Sequence, residues 1–275
     1  FKQPQENLNQ PEPIFNVVNI STALYNKSDL YKKHRNVIII DVNSKNENKV
    51  YFRRDEWSYP QVVFQFSISK ISELRPLLTK YFPQITDEIY NYERLRIKNT
   101  MNKLENTDIT RALKQNFGFW ITVSNEFQLS VLKDNFAWVR KEAKDYSIGI
   151  LIYTQPYRDS IVFRENYILN QLDTTMKYNI PGPLNGTYMA IERRIEPIFK
   201  QIKLDDRYCI ETRGLWRLIG DFMGGPFVSY TTLDEREGEL ITLDCYVYSP
   251  KYGKRNFLRA LEHLVYGITF PNNKN

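Results

Sequence analysis

The chain has 275 residues, of which 42% are hydrophobic and 14% aromatic, and it carries a formal net charge of +6. This composition supplies a core for one large domain or two smaller ones and excludes disorder over most of the length. The basic residues are scattered without the stripe that marks a nucleic-acid partner, and no apolar run approaches the roughly 20 residues that span a bilayer.

The first part of the chain alternates strand and helix signals. Residues 1–13 are polar and rich in Pro, which predicts an extended lead-in. The run at 37–42 is apolar enough to predict a buried strand. Further strands are predicted at 14–20, 50–53 and 61–69. Helices are predicted at 24–34, from a cap at Ser72 as far as Pro83, at 86–104, and from Asp108 to a C-cap at Gly118.

The second part of the chain is richer in strands. Residues 188–203 predict one long or bulged strand with Pro197 at a sheet edge, because Pro cannot donate to a ladder. A loop with two Pro and two Gly residues is predicted at 178–187. The other strands are predicted at 119–123, 136–140, 148–153, 208–216, 227–232 and 240–249, and the helices at 165–177 and 255–266.

The order strand, strand, strand, helix occurs twice, at 37–82 and at 208–266. This recurrence predicts an α+β fold with mixed or antiparallel sheets covered by helices, arranged as two tandem similar halves. The halves are expected at 1–117 and 118–275. The first is shorter at its start, which predicts an upstream strand and helix that it lacks here.

Signals for metal binding and catalysis are sparse. Cys209 and Cys245 lie in predicted strands, either as two small buried hydrophobic side chains or as one inter-strand disulfide. His34 and His263 are not at ligand spacing from a cysteine or carboxylate cluster, so no metal and no cofactor are expected. Motifs for a nucleophilic triad, a phosphate-binding loop or a dinucleotide fold are absent from the sequence, and no catalytic residue is predicted.

The segment TRGLWRLIGDFMGGPFVSY at 212–230 is the most informative part of the chain. It places large apolar and charged residues in what the pattern predicts to be a connection between two strands. One interpretation is a folded connection that packs over a sheet end and is held by an Arg–Asp pair. The other is a binding surface, since Trp, Arg and Met are enriched at interfaces. The candidate binding residues are Arg213, Trp216, Arg217, Asp221, Phe222, Met223, Gly224 and Gly225.

Several motifs resemble an uncharacterised bacteroidete family of predicted lipoproteins. They are QPEPIF at 10–15, RNVIIIDV at 35–42, IPGP at 180–183, RGLW at 213–216, MGGPFVSY at 223–230 and YSPKYGKRNFLRALE at 248–262. The resemblance spans essentially the whole chain. It implies a cell-envelope location, an N-terminal lipoprotein signal with a first strand and helix, and a lipidated Cys other than Cys209 or Cys245. It implies no activity.

The leading hypothesis is therefore a non-enzymatic lipoprotein anchored in the outer membrane. It would bind or scaffold another envelope protein, with membrane attachment only through an N-terminal lipid and with no nucleic-acid partner. The alternative is an envelope hydrolase of glycan or peptide, which needs two available carboxylates or an activated Ser. A third reading, small-molecule carriage in a sheet-lined cavity, would require a large apolar pocket.

Overall fold

The computed structural model describes residues 3–271, and the chain divides into two compact units. One unit is formed by Val17–Thr100, and the other by Phe1–Asn16 together with Met101–Asn275. Both helices and sheets contribute to the chain, so the predicted α+β class is confirmed. The division into halves at residues 117 and 118 stays a prediction.

The unit of residues 17–100 contains a three-stranded mixed sheet. Its strands are β1 (Asn36–Val42), β2 (Lys49–Arg54) and β3 (Val62–Ile68), in the order β1-β3-β2, with β1 parallel and β2 antiparallel to β3. Two short helices, α1 (Thr22–Lys27) and α2 (Asp29–Lys32), precede the sheet. The long helix α3 (Leu74–Lys103) follows it.

The predicted burial of the apolar run at 37–42 is wrong. It forms β1, and Ile40 and Val42 are about half exposed there. The central strand is instead β3, whose Phe64, Phe66 and Ile68 are buried. An edge strand has only one neighbour, so its apolar composition does not ensure burial.

Pro83 does not separate two helices. The 30-residue helix α3 runs through it, and Ile85 and Ile89 on the following turns are buried. The Thr86 hydroxyl donates to the carbonyl oxygens of Phe82 and Pro83 at 2.7 and 2.8 Å. Packing beyond the Pro therefore outweighs the single backbone hydrogen bond that the Pro cannot make.

The other unit contains an eight-stranded antiparallel sheet. The order along it is β4-β5-β6-β11-β10-β9-β7, and β8 pairs with β9 beside β7. The strands are β4 (Gln128–Lys133), β5 (Phe136–Ala143), β6 (Tyr146–Pro156), β7 (Tyr188–Ile191), β8 (Ile198–Leu204), β9 (Arg207–Ile219), β10 (Gly224–Asp234) and β11 (Glu239–Tyr248). The helices are α4 (Thr107–Phe117), α5 (Glu165–Asn179) and α6 (Arg255–Val265).

Helices cover both faces of this sheet. Leu113 of α4 and Leu261 of α6 belong to one buried cluster, together with Cys245 and Val247 of β11. Leu172 of α5 belongs to a second cluster on the opposite face, together with side chains that alternate with the first set along the strands. The central strands are therefore buried on both faces, so their sequences lack a clean alternation of apolar and polar residues.

Three predicted strands differ in the structure, and one strand was not predicted. Residues 14–20 form no strand. Residues 119–123 form one isolated bridge, between Trp120 and Thr269, rather than a strand, although Phe119, Ile121 and Val123 are buried. Strand β4 was not predicted, although Leu129 and Val131 alternate with polar residues along it. The run at 188–203 forms two strands, β7 and β8, which pair with successive halves of β9.

The order strand, strand, strand, helix occurs in both units with different pairing. Strands β9, β10 and β11 form an antiparallel meander, whereas β1 and β3 are parallel neighbours. The duplication therefore remains a prediction that rests on element order alone.

The lead-in segment is anchored to helix α6, and its first two residues lie outside the described range. The Glu12 carboxylate accepts from the backbone N–H groups of Lys254 and Arg255 at 2.6 and 3.2 Å. It thereby satisfies two donors at a helix start whose own residues provide no cap. A Cβ atom at Gly253 would lie 2.7 Å from Glu12 Oε2, so the helix approach is also shaped to this carboxylate.

We predict that Glu12→Ala lowers the free energy of unfolding by about 1–2 kcal/mol, because it removes the cap of α6. Denaturant unfolding followed by tryptophan fluorescence would measure this change. The control is Glu6→Ala, which removes an exposed ion pair with Lys200 and should cost less than about 1 kcal/mol. Equal losses in the free energy of unfolding for the two substitutions would show that the cap contributes no more to stability than an exposed ion pair does.

Candidate functional site

The segment at 212–230 forms a β-hairpin rather than a long connection. Strand β9 continues to Ile219 and β10 begins at Gly224, so the turn consists of residues 220–223. Arg217 lies opposite Gly224, and the Leu218 N–H donates to the Met223 carbonyl at 2.8 Å. Gly220 has a φ of 85°, a conformation that favours Gly.

Trp216 lies in the core. Its side chain is buried, and its indole Nε1–H donates to the Val247 carbonyl of β11 at 3.2 Å. Its ring meets the ring of Tyr246 edge-on, with 6.1 Å between centroids. The indole therefore holds β9 against β11 and is not available to a partner.

The Gly pair allows close packing beside Trp216. A Cβ atom at Gly225 would lie 1.8 Å from the Val247 carbonyl oxygen and 3.1 Å from Trp216 Nε1. A Cβ atom at Gly224 would lie 2.9 Å from the Trp216 carbonyl oxygen. Gly225 thus allows a close approach of the β11 backbone and the indole, Gly224 allows a close approach of the β9 backbone, and neither belongs to the turn.

Arg213 is buried and pairs with two carboxylates. Its Nε donates to Glu211 at 2.7 Å and its NH1 to Glu262 of α6 at 2.8 Å. Its partners are therefore not Asp221, whose carboxylate accepts from the Phe222 N–H at 2.6 Å. Arg213 therefore ties β9 to α6.

These two carboxylates do not resemble a general acid–base pair. Burial opposes ionisation of Glu262, but the charge and hydrogen bond of Arg213 outweigh it and keep its pKa below the ordinary value. An acid catalyst needs a raised pKa and access to substrate. The cluster of Glu211, Arg213 and Glu262 is an internal ion-pair network.

The remaining candidate residues lie at or near the hairpin turn. Phe222 is fully exposed, with a relative exposure of 106%, and Met223 packs partly against the core. Arg217 is exposed, and its Nε lies 3.8 Å from Glu192. The structure thus keeps Phe222 and Arg217 accessible and places most of the other candidates within the sheet.

A row of buried polar side chains crosses the sheet, and the sequence analysis missed it. Asp244, Ser229 and Thr212 lie opposite one another on β11, β10 and β9, all fully buried. Their side-chain oxygens have no hydrogen-bond partner among the described residues. Burial raises the pKa of Asp244 to about 8. An acidic residue inside an otherwise apolar strand was the signal that could have revealed it.

The cysteines behave as buried hydrophobic side chains. Cys209 and Cys245 are both free and buried, so the inter-strand disulfide is not formed. Burial raises the pKa of each thiol above its ordinary value. Within residues 3–271, no cluster of His, Cys, Asp or Glu side chains could hold a metal ion.

A shallow, open depression lies at the start of α5. Its volume is about 620 Å³, and Phe163, Glu165 and Tyr167 are among its lining residues. Glu165 is the one carboxylate in this lining, so the depression does not provide the pair that glycoside hydrolysis needs.

The chain is thus an α+β protein. Helices cover both faces of its antiparallel sheet, and an aromatic side chain is exposed at the turn of one hairpin. The chain belongs to the family described as Domain of unknown function (DUF4837), whose model matches residues 106–267. Residues 1–102 match a second family model, Domain of unknown function (DUF8532). Among curated proteins, none matches the sequence.

Two solved structures are distantly similar. One is LpqN, involved in cell envelope biogenesis of Mycobacterium tuberculosis, with 11% identity over 56% of this chain and 83% of that chain and a TM-score of 0.35. The other is the lipid transfer and protein localization domain of human StarD13 (DLC2), with 11% identity over 58% of this chain and 92% of that chain and a TM-score of 0.26. At these TM-scores neither likeness carries an argument about function.

We predict that Gly225→Ala destabilises the protein by about 3 kcal/mol or more, because the new methyl group would overlap the Val247 carbonyl oxygen. Gly224→Ala should cost less, since its closest contact is longer. Thermal or denaturant unfolding would rank the two variants. The reverse order would contradict the assigned role of Gly225 in admitting the Trp216 indole.

We predict that Asp244→Asn flattens the pH dependence of stability between about pH 4 and pH 8. The pKa of Asp244 is raised from 3.8 to about 8, so its neutral form stabilises the fold below pH 4 and this contribution is lost as the pH rises. Wild-type stability should fall relative to the variant by about 1.4 kcal/mol per pH unit in this window. Urea unfolding at several pH values would measure it, with the exposed Asp134→Asn as the control.

Proposed function

We propose that this chain is a non-enzymatic cell-envelope lipoprotein that binds another envelope protein through the turn of the β9–β10 hairpin. The observation that carries this proposal is the complete exposure of Phe222 on a turn whose flanking strands are buried. Aromatic side chains are frequent energetic anchors of protein interfaces.

The base of the hairpin supports such a role. Trp216 and Gly225 hold the strands below the turn in one packed arrangement, and the Leu218–Met223 hydrogen bond closes the turn. A turn that is already ordered loses little conformational entropy when it binds. Phe222 is therefore presented by a preorganised scaffold.

The envelope location and the lipid anchor in the outer membrane rest on the resemblance to predicted lipoproteins. Among the helices of residues 3–271, none combines the length and the hydropathy that a membrane-spanning helix needs. The proposed attachment is an N-terminal lipid, which leaves the hairpin turn free for contact with a protein.

The hydrolase alternative has less support. The carboxylates that the structure brings together, Glu211 and Glu262, are both bound to buried Arg213. A catalytic pair would have to contact a substrate and exchange protons with it. We therefore favour binding over catalysis.

We predict that Phe222→Ser abolishes partner capture without affecting the fold. Affinity purification of the tagged protein from detergent-solubilised envelopes of its own host should yield a stoichiometric partner. Loss of an aromatic anchor costs about 2 kcal/mol or more, or roughly 30-fold in affinity. The measurement is partner recovery by quantitative mass spectrometry, with circular dichroism as a check of the fold.

The matched control is Tyr252→Ser, which alters a side chain that is 50% exposed elsewhere in the same unit. It should leave partner recovery unchanged. Trp216→Ala is unsuitable as a binding test, because this residue is part of the core. Full recovery of the partner with Phe222→Ser would refute the proposed role of the turn.

A further inference from the structure

Strand β1 has an open outer edge. It pairs with β3 on one side, and among residues 3–271 no strand pairs with its other side. The strand reads NVIIIDV, and its Ile40 and Val42 are 45% and 47% exposed. The outward backbone groups of an apolar edge strand are a template on which a further strand can add.

The backbone bonds of β1 show which residues face this open edge. The Val62 N–H donates to the Arg35 carbonyl at 2.9 Å, in register with the pairing of β1 and β3. The Asn43 N–H donates to the Ile68 carbonyl at 3.0 Å. Odd-numbered residues therefore bond to β3. In a parallel pair the residues between them direct their N–H and C=O groups away from the partner strand, so the even-numbered residues of β1 face the open edge.

The other sheet edges carry features that hinder the addition of a strand. Lys side chains, irregular register and short length protect edge strands from pairing with other chains. Strand β4 has a register shift after Leu129, and β7 is only four residues long. Basic side chains lie on β2 and β8, namely Lys49, Arg53, Arg54, Lys200 and Lys203. In contrast, β1 pairs regularly over seven residues and carries Asp41 as its one charged side chain.

The open edge is complementary to a second copy of itself. Antiparallel pairing about a twofold axis at Ile39 matches outward-facing residues with outward-facing ones. It places Ile38 opposite Ile40 of the second copy, and such β-branched pairs stabilise neighbouring strands. On the other face, Arg35 lies diagonal to Asp41 of the second copy, within reach of a long side chain. Both residues are exposed, and the twofold axis creates this contact between opposite charges twice.

We propose that this chain forms a twofold dimer through antiparallel pairing of β1 with β1 of a second copy. The two three-stranded sheets then become one continuous sheet. The backbone ladder selects an extended strand, and the Arg35–Asp41 contacts select the antiparallel register. One pair of seven-residue strands is a small interface, so we expect a dissociation constant in the micromolar range. This proposal is independent of the hairpin turn.

Sedimentation of the purified chain over a range of micromolar concentrations tests the dimer. We expect a dimer that dissociates on dilution. Ile40→Lys should weaken it at least about tenfold, because it places a charge at the open edge. The matched control is Tyr51→Lys on β2, where the side chain is 48% exposed. It adds the same charge to the same sheet and should leave the dimer intact, with circular dichroism as a check of both folds.

An engineered disulfide tests the register. Residues on the twofold axis form a non-hydrogen-bonded pair with Cα atoms about 4.5 Å apart, which suits a disulfide. Ile39→Cys should therefore form an intermolecular disulfide under mild oxidation, whereas Tyr51→Cys should not. The native Cys209 and Cys245 are buried and do not compete. A dimer in which Ile39→Cys fails to crosslink would overturn the pairing through β1.

A charge exchange tests the complementarity. Asp41→Arg turns both contacts with Arg35 into repulsions and should weaken the dimer roughly tenfold. The double variant Arg35→Asp with Asp41→Arg restores opposite charges and should recover the affinity. Equal weakening by the single and the double variant would overturn the assigned contacts.

The remaining outcomes separate the proposals. A chain that stays monomeric at all concentrations would overturn the dimer and leave the proposed function of the hairpin turn intact. In cells of its own host, a disulfide between Ile39→Cys and a different protein would overturn self-pairing in favour of strand addition by that protein.

Discussion

Arg213 provides the interaction on which the arrangement of the hairpin depends. A buried guanidinium must be paired, and its two carboxylates come from β9 itself and from α6. Breaking a buried network of this kind by removing one partner typically costs about 3–5 kcal/mol. Helix α6 is in turn capped by Glu12 from the start of the chain, so the lead-in, the helix and the sheet are linked through charged groups.

Strand β9 is held from both sides because its side chains alternate. Arg213 points toward α6, whereas Trp216, three residues later, belongs to the cluster on the face of α5. The Gly225 backbone then allows the indole to reach β11. Because β9 is packed on both faces, its end has little conformational freedom. The turn at 220–223 follows directly and is therefore ordered as well.

The sequence predicts the class of the fold and most of its elements, but not the role of the hairpin. Large side chains such as Trp216 indicate a loop or a surface only under the assumption that buried and exposed residues alternate along each strand. Strand β9 is buried on both faces, so that assumption fails. The composition of the Gly pair likewise predicts a turn. In the structure, Gly225 instead allows the close approach of the backbone of Val247, which lies more than 20 residues away in the sequence. The same limitation applies to Asp244, because its raised pKa comes from the layers packed around it.

The exposure of Phe222, which the interpretation as a binding surface requires, depends on the hairpin register, since a shift of one residue would turn this side chain toward the core. Exposure alone is a weak argument, because single apolar side chains are common on protein surfaces. Its meaning here comes from its surroundings. Trp216 and Phe227 of the same motif are buried, and the Arg217 Nε lies 3.8 Å from the Glu192 carboxylate. The turn at 220–223 thus presents Phe222 from strands that are themselves fixed in the core by the Trp216 indole and the Leu218–Met223 hydrogen bond.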